Sequence, residues 1–215
     1  MAERIVVVGG GGHAKVLVDT IEAGAHFDIA GFVAFKESGT LYRYPRLGDD
    51  TALPSIFDSG IRSAIVAIGD NRRRQQLIDR LRRLGFQLIN AISPASVVSK
   101  YTILGNGVAI LPGAVVNAHT CLADGVIINT NASVDHDCDV GACVHVGPGA
   151  TVAGSVKLEE GVFLGTGSSV IPGVRVGAWS TVGAGAAVIR DLPSNIIAVG
   201  VPAVVSKENC TDEST

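Results

Sequence analysis

Two adjacent residues, His136 and Asp137, have the side chains of a general base and its orienting acid. An imidazole takes up a proton near neutral pH, and a neighbouring carboxylate can hold its tautomer and stabilise the imidazolium. In isolation such a pair reads as a solvated histidine beside an acid. His145 follows nine residues later. Near the start, Gly9-x-Gly11-x-x-Ala14 follows the apolar run 5–8 and opens a helical spacing at Val16, Leu17, Thr20 and Ile21. Backbone N–H groups and the dipole at such a helix start can meet a phosphate. A dinucleotide is disfavoured, because the second strand ends in Val33, Ala34 and Phe35 without an acid for a ribose. Arg72, Arg73 and Arg74 open a later helix, where positive charge opposes the dipole. An anionic ligand would relieve that opposition; a solvated basic face is the other reading.

The elements that must position these groups fall into two sets. Residues 1–94 hold 22 of the 37 charges and seven of the ten aromatics, whereas 95–190 hold ten charges and three aromatics. The shift predicts a boundary near 92–94. Before it, strands are expected at 5–8, 28–34, 63–68 and 86–89, and helices at 13–23, 53–57 and 72–84. That alternation implies a small Rossmann-like α/β domain with a parallel sheet over residues 1–94.

Beyond it the chain repeats in sixes. Sixteen consecutive blocks from Ala95 to Arg190 carry Val, Ile or Leu at the fourth place and a small or β-branched residue at the second. The fifth is often Gly, Ala, Asn or Asp, as suits the dihedrals of a corner. One aliphatic and one small residue per six describes a triangular solenoid, three blocks to a turn. Within a coil domain over 95–205, the sixteen blocks of 95–190 would make about five turns, roughly 24 Å high at the spacing of paired strands. Residues 206–215 read as a polar tail, with 208–215 expected to lack order.

In such a coil residues 18 apart stack. His136 then lies between Ala118 and Gly154, which leave room beside its ring, and Asp137 starts the next face between His119 and Ser155. Small neighbours favour chemistry at His136. His145 falls half a turn away, stacked between Ile127 and Phe163, as an exposed polar residue unless it has a function. The core separates the two histidines within one chain, so a shared site requires two subunits.

The run GVIINTNASVDHDCDVGACVHVGPGATVAG (125–154) resembles the core of the bacterial nucleotide-sugar N-acetyltransferases of the bacillosamine and perosamine type, with sialic acid O-acetyltransferases as relatives. VVVGGGGHAKV (6–16), AIGDNRRR (67–74) and VGVPA (199–203) are similar to other parts of the same hexapeptide-repeat family. The resemblance implies a left-handed parallel β-helix; periodicity alone leaves the hand open. It implies an acetyl-CoA co-substrate, no metal, and a homotrimer with active sites between subunits. It gives His136 the part of the base and Asp137 that of its acidic partner. Asn129 matches an active-site asparagine. Gly10, Gly11, Gly12 and His13, with Gly69, Asp70 and Asn71, match loops that hold the nucleotide sugar. His145 matches a residue that meets the thioester, Gly154, Thr166 and Ala184 line the pantetheine groove, and Val201 and Pro202 border the adenine end. The expected reaction acetylates the amine of a nucleotide-linked amino sugar, of the 4-amino-4,6-dideoxyhexose kind, for surface glycan synthesis.

Other classes remain to be weighed. O-acetylation of a sugar hydroxyl would use the same base. A metal-dependent β-helix enzyme would need His119, His136 and His145 to converge from spacings of 17 and 9. A non-catalytic sugar-nucleotide binding protein would need only the first domain. A net charge of −3 gives no reason to expect nucleic acid. The apolar run 5–8 is too short for a signal peptide or a membrane span, so a cytoplasmic protein is expected, with its four cysteines as free thiols.

Overall fold

The apolar run 5–8 becomes the centre of a sheet. In the computed structural model, which describes residues 2–35 and 40–208, it forms most of β1 (Glu3–Val8). β2 (Phe27–Val33) and β5 (Ser63–Val66) pair with β1 in parallel, one on each side. A strand buried on both faces carries no polar alternation, and residues 5–8 have none. Ile5 and Val7 feed one core with Leu17, Val18 and Ile21 of α1 (Gly12–Gly24). Val6 and Val8 feed the other with Leu77, Ile78 and Leu81 of α3 (Asn71–Arg83) and with α2 (Leu53–Asp58). The two-residue period of the strand thus serves both layers. β6 (Gln87–Leu88) closes one edge. At the other edge the structure adds β3 (Thr40–Leu41) and β4 (Tyr44–Gly48), an antiparallel pair that the sequence does not announce. It is too short and too polar to show a period, and it carries Pro45.

From Ala91 onward, two-residue strands recur every six residues and stack on three faces. Face one includes Ala109–Ile110, Ile127–Ile128, His145–Val146, Phe163–Leu164 and Thr181–Val182. Face two includes Val115–Val116, Ser133–Val134 and Thr151–Val152; face three includes Cys121–Leu122, Asp139–Val140 and Lys157–Leu158. Partners lie 18 residues apart, and the coil is a left-handed parallel β-helix. The fourth-place aliphatics fill the prism, for example Ile128, Val134, Val140 and Val146. Each such burial stabilises by about 1.5–3 kcal/mol, so the stack as a whole holds the coil rather than any one layer.

The corners correct one expectation. The left-handed backbone falls at the first place of the blocks from Gly107 onward, not at the fifth. Gly113, His119, Gly125, Asn131, Asp137, Cys143 and Ser155 all have φ between 54° and 73°. Asp137 is therefore a corner residue rather than the start of a flat face. Neighbouring side chains on an extended strand point to opposite sides. The left-handed turn brings His136 and Asp137 together instead.

The first domain docks on face one. Ala91, Ala109, Leu111 and Ile127 join the core beneath α1, and the start of α3 lies along the corner before face one. The outward third place of each block is thus covered on this face, while on face three it presents Asp139, Lys157 and Arg175 to solvent. After the coil, Ile196–Val199 runs parallel to Thr181–Val182, and Val204–Glu208 returns antiparallel to it. Ser206, Lys207 and Glu208 of the expected tail are strand residues, held by this pairing; residues 209–215, including Cys210, lie outside the described residues. Among the described residues no helix is long and apolar enough to cross a membrane.

Candidate active site

His136 stands at the corner between faces two and three, with its side chain 58% exposed. Its Nδ1 lies 2.7 Å from Asp137 Oδ2. Its backbone N–H donates to Asp135 Oδ1, which also accepts from Asn117. The bond to Asp137, and then the charge of Asp135, hold the imidazole pKa above its ordinary value. With Nδ1–H given to Asp137, Nε2 is the free base. Gly154 leaves the room for it, since a Cβ there would sit 2.6 Å from Cε1 and 2.7 Å from Nε2. Gly154→Ala is therefore expected to push the ring from its place. In steady-state kinetics kcat should fall about 10–100-fold, the cost of a misplaced reacting group, with the melting temperature little changed.

His145 is not an exposed residue. It is 7% exposed on face one, under the first domain. Its Nδ1 donates to Gly69 O at 3.2 Å, and its Nε2 accepts from Asn129 Nδ2 at 2.9 Å. The rings of His13 and Phe163 lie 6.2 and 5.2 Å away. Burial, then Arg74, pushes the His145 pKa down to about 3 and that of His13 to about 4, so both rings are neutral at physiological pH. A cleft of about 520 Å³ opens beside His145, lined by Gly69, Asp70, Asn71, Arg72, Phe163 and Trp179 among others. The covered column leaves only a partial trace in the sequence. The third places of the face-one blocks read Ala109, Ile127, His145, Phe163 and Thr181, without a charged acid or base, where face three carries Asp139, Lys157 and Arg175.

Several expected site residues work in the domain contact. Asn71 is buried; its amide donates to Gly161 O and Val162 O and its oxygen accepts from Arg74. Asp70 caps α3 by accepting from Arg73 N. The three arginines make no common basic face. Arg74 is 1% exposed, Arg73 pairs with Asp50, and Arg72 lies over the Trp179 ring at 4.4 Å. Buried acceptors, not an anion, offset the charge of Arg74 at the helix start.

The glycine loop keeps its open space. Nothing lies within 4 Å of a Cβ placed on Gly11 or Gly12, and the start of α1 has neither a side-chain cap nor an acid in its first turn. Its free N–H groups remain for an anion. His13 Nε2 is buried there without a hydrogen-bond partner among the described residues. Gly10 and Gly11 line a pocket with Val33, Ala34 and Phe35, and Asp50 reaches the same pocket from the turn after β4. An acid, absent directly after β2, is thus present in this pocket from a different element that no local motif marks, paired with Arg73.

The remaining candidates spread along the coil. Asn129, Thr166 and Ala184 lie near the corner between faces one and two, and Thr166 and Ala184 are exposed. Val201 and Pro202 are exposed in the turn between the last two strands. The structure brings Gly69, Asp70, Asn71, Asn129, His13 and His145 together, and places His136 with Asp137 and Gly154 at another corner. His119, which stacks on Tyr101, does not converge with His136 and His145. Among the described residues no group of three or more His, Cys, Asp or Glu could hold a metal ion.

Comparison with known proteins accounts for this combination. Residues 4–81 match the family model described as the PglD N-terminal domain. Over 94% of its length the chain superposes on 96% of PerB from Caulobacter crescentus, solved with CoA and GDP-perosamine, with a TM-score of 0.91 and 46% identity. The chain belongs to the nucleotide-sugar N-acetyltransferases of the hexapeptide-repeat family. A second member, the acetyltransferase domain of PglB from Neisseria gonorrhoeae FA1090, solved with acetyl coenzyme A, matches with a TM-score of 0.91 and 35% identity, covering 95% of this chain and all of that one. The UDP-N-acetylbacillosamine N-acetyltransferase of Bacillus subtilis (strain 168) is 37% identical over 114 residues, and the match spans about half of that curated relative, 51% of its length. In this acetyltransferase family member, the structure unites the α/β domain, the coil and the exposed His136–Asp137 pair in one chain.

Proposed function

We propose that the protein transfers acetyl from acetyl-CoA to the amine of a nucleotide-linked amino sugar, of the 4-amino-4,6-dideoxyhexose kind. One observation carries this reading: His136 is held by Asp137 through Nδ1, with Nε2 beside the space that Gly154 leaves. The amine attacks the thioester carbonyl, and its proton passes to Nε2 of His136. Collapse of the tetrahedral intermediate breaks the C–S bond, and the proton goes on to the coenzyme thiolate. Asp137 keeps Nδ1 protonated and stabilises the imidazolium between these steps.

Charge builds on the carbonyl oxygen and needs a donor. His145 is expected in that part from the resemblance, but both its nitrogens are engaged within the chain. The backbone N–H of Gly154 has no acceptor among the described residues and lies beside the base. It is the better candidate.

The nucleotide would lie on the open glycine loop, its phosphates at the start of α1 and Asp50 toward its base or ribose. Its sugar would reach past Gly69 and His13. His136 stands at a different corner from this cleft, so a site using both requires a second subunit. A homotrimer supplies it, with pantetheine along Thr166 and Ala184 and the adenine end near Val201 and Pro202. The division into 1–94, 95–205 and a short tail then separates sugar-nucleotide binding from transfer. The cytoplasm, where acetyl-CoA and reduced thiols coexist, is the compartment this reading assigns.

A thiol-release assay with acetyl-CoA tests it, run on nucleotide 4-amino sugars beside their 4-hydroxy counterparts. Release with an amino sugar alone supports the proposal. Turnover of the hydroxy sugar instead, or of neither, overturns it.

Asp137 gives a pH test. A raised His136 pKa keeps the base protonated further up the pH scale. The acid limb of kcat/KM should therefore inflect above the ordinary imidazole value. Asp137→Asn removes the main cause, so the inflection should move to lower pH while the plateau falls. An unmoved inflection would show that Asp137 does not govern the base.

A further inference from the structure

A buried cation with no carboxylate partner needs an explanation, and Arg74 is one. All five of its N–H groups are used, and every acceptor is neutral. Nε donates to Gly125 O at 2.8 Å, Nη1 to Ile68 O at 3.0 Å and Gly69 O at 3.1 Å, and Nη2 to Asn71 Oδ1 and Cys143 O, both at 2.7 Å. Gly125 and Cys143 belong to the coil, Ile68 and Gly69 to the loop after β5. A well-packed apolar side chain would join the two domains at lower cost than a buried charge.

The Gly69 carbonyl shows where the order leads. It also accepts from His145 Nδ1, whose Nε2 meets the Asn129 amide. Asn129 Oδ1 accepts from the backbone N–H of Thr130 at 2.8 Å. A backbone N–H can only donate, so that bond fixes which end of Asn129 is the oxygen. Asn129 Nδ2 must then donate to His145 Nε2, and His145 must carry its proton on Nδ1. The second Asn129 amide hydrogen has no acceptor among the described residues, and Asn129 is half-buried near the corner that also carries Thr166 and Ala184.

We propose that Arg74 is a positioning residue for the transfer: through Gly69 it fixes His145 as the Nδ1–H tautomer, and His145 holds the Asn129 amide so that its second hydrogen points to the ligand. The catalytic purpose of this relay rests on the acetyl-transfer reading; its geometry does not. The titratable and charged groups around His145 are His13 from α1, Arg74, Asp70 and Arg72 from α3 and the loop before it, and Cys143 from the coil. Among the described residues none of these is a carboxylate in contact with the ring; the Gly69 carbonyl favours the imidazolium, and burial with the charge of Arg74 outweighs it.

Nuclear magnetic resonance of the histidine ring nitrogens tests the relay in the intact protein. The chain has five histidines, and His145→Asn assigns the signal. The wild type should show a neutral, Nδ1-protonated His145 that does not titrate from about pH 5.5 to about 8.5, a range in which a free imidazole changes charge. Arg74→Gln should shift the signal toward the other tautomer and lower kcat at least about tenfold, with KM for acetyl-CoA changed less than about threefold. Arg74→Lys, which keeps the charge and some donors, should recover part of both. A wild-type His145 that titrates in this range or carries its proton on Nε2 overturns the proposal, and this spectrum decides even if the variants do not fold. An Arg74→Gln protein with unchanged tautomer and kcat overturns it as well. A wild type that shows the expected tautomer but releases no thiol with any acceptor overturns the transfer reading, and with it the purpose of the relay.

Discussion

His136→Asn is expected to lower kcat by at least about 100-fold, the usual share of a positioned general base. Asn keeps a polar side chain of similar reach but takes up no proton at neutral pH. His136 is largely exposed, and its ring hydrogen-bonds to Asp137 beside the space that Gly154 leaves. The fold should therefore be indifferent to the change, within about 0.5 kcal/mol. Thiol release and thermal unfolding measured on the same preparation separate the two effects. A loss of less than about tenfold, with the fold intact, would mean that the amine loses its proton elsewhere. Asp137→Asn is a weaker test of the same step, because the base survives it.

The second large effect concerns the assembly. His136 and His145 occupy different sides of one coil. If each active site takes His136 from one subunit and the His145 cleft from the next, neither lesion is confined to a single chain. His136→Asn and His145→Asn trimers should each fall below about 1% of wild-type kcat, the first by loss of the base and the second by loss of the amide relay. Co-expressed in equal amounts, they should recover about a quarter of wild-type activity in the whole population, and about a third in mixed trimers, since each mixed ring has one site of three that joins two intact faces. Differently tagged subunits purified in tandem allow the mixed trimers to be assayed alone. Mixed trimers as inactive as their parents would exclude a shared site.

How much of this was legible in the residues differs from place to place. Ile128, Val134, Val140 and Val146 declare the prism, because one inward aliphatic per six residues has no flat alternative. Val6 and Val8 declare a strand buried on both faces. The partnership of His136 and Asp137 was visible as adjacency but not as contact, because the contact depends on a left-handed turn at Asp137. The period leaves His145 at an outward place, exposed unless it has a function, although Ile127 and Phe163 flank it in register. The hexad period names the inward positions, and the first domain decides which outward ones are covered. Asp50 and Arg74 were beyond local reading. One enters its pocket from an unmarked turn, and the other finds two of its acceptors 51 and 69 residues away.

Sequence by itself determined the two architectures, because each rests on a short period of apolar residues that any stretch of chain displays. It also offered the candidate base, a histidine and an acid side by side. Tertiary structure decided which histidine is free to take a proton and which is locked neutral. Burial, and the carbonyls and amides that meet a ring nitrogen, come from segments far apart in the chain, and no spacing records them.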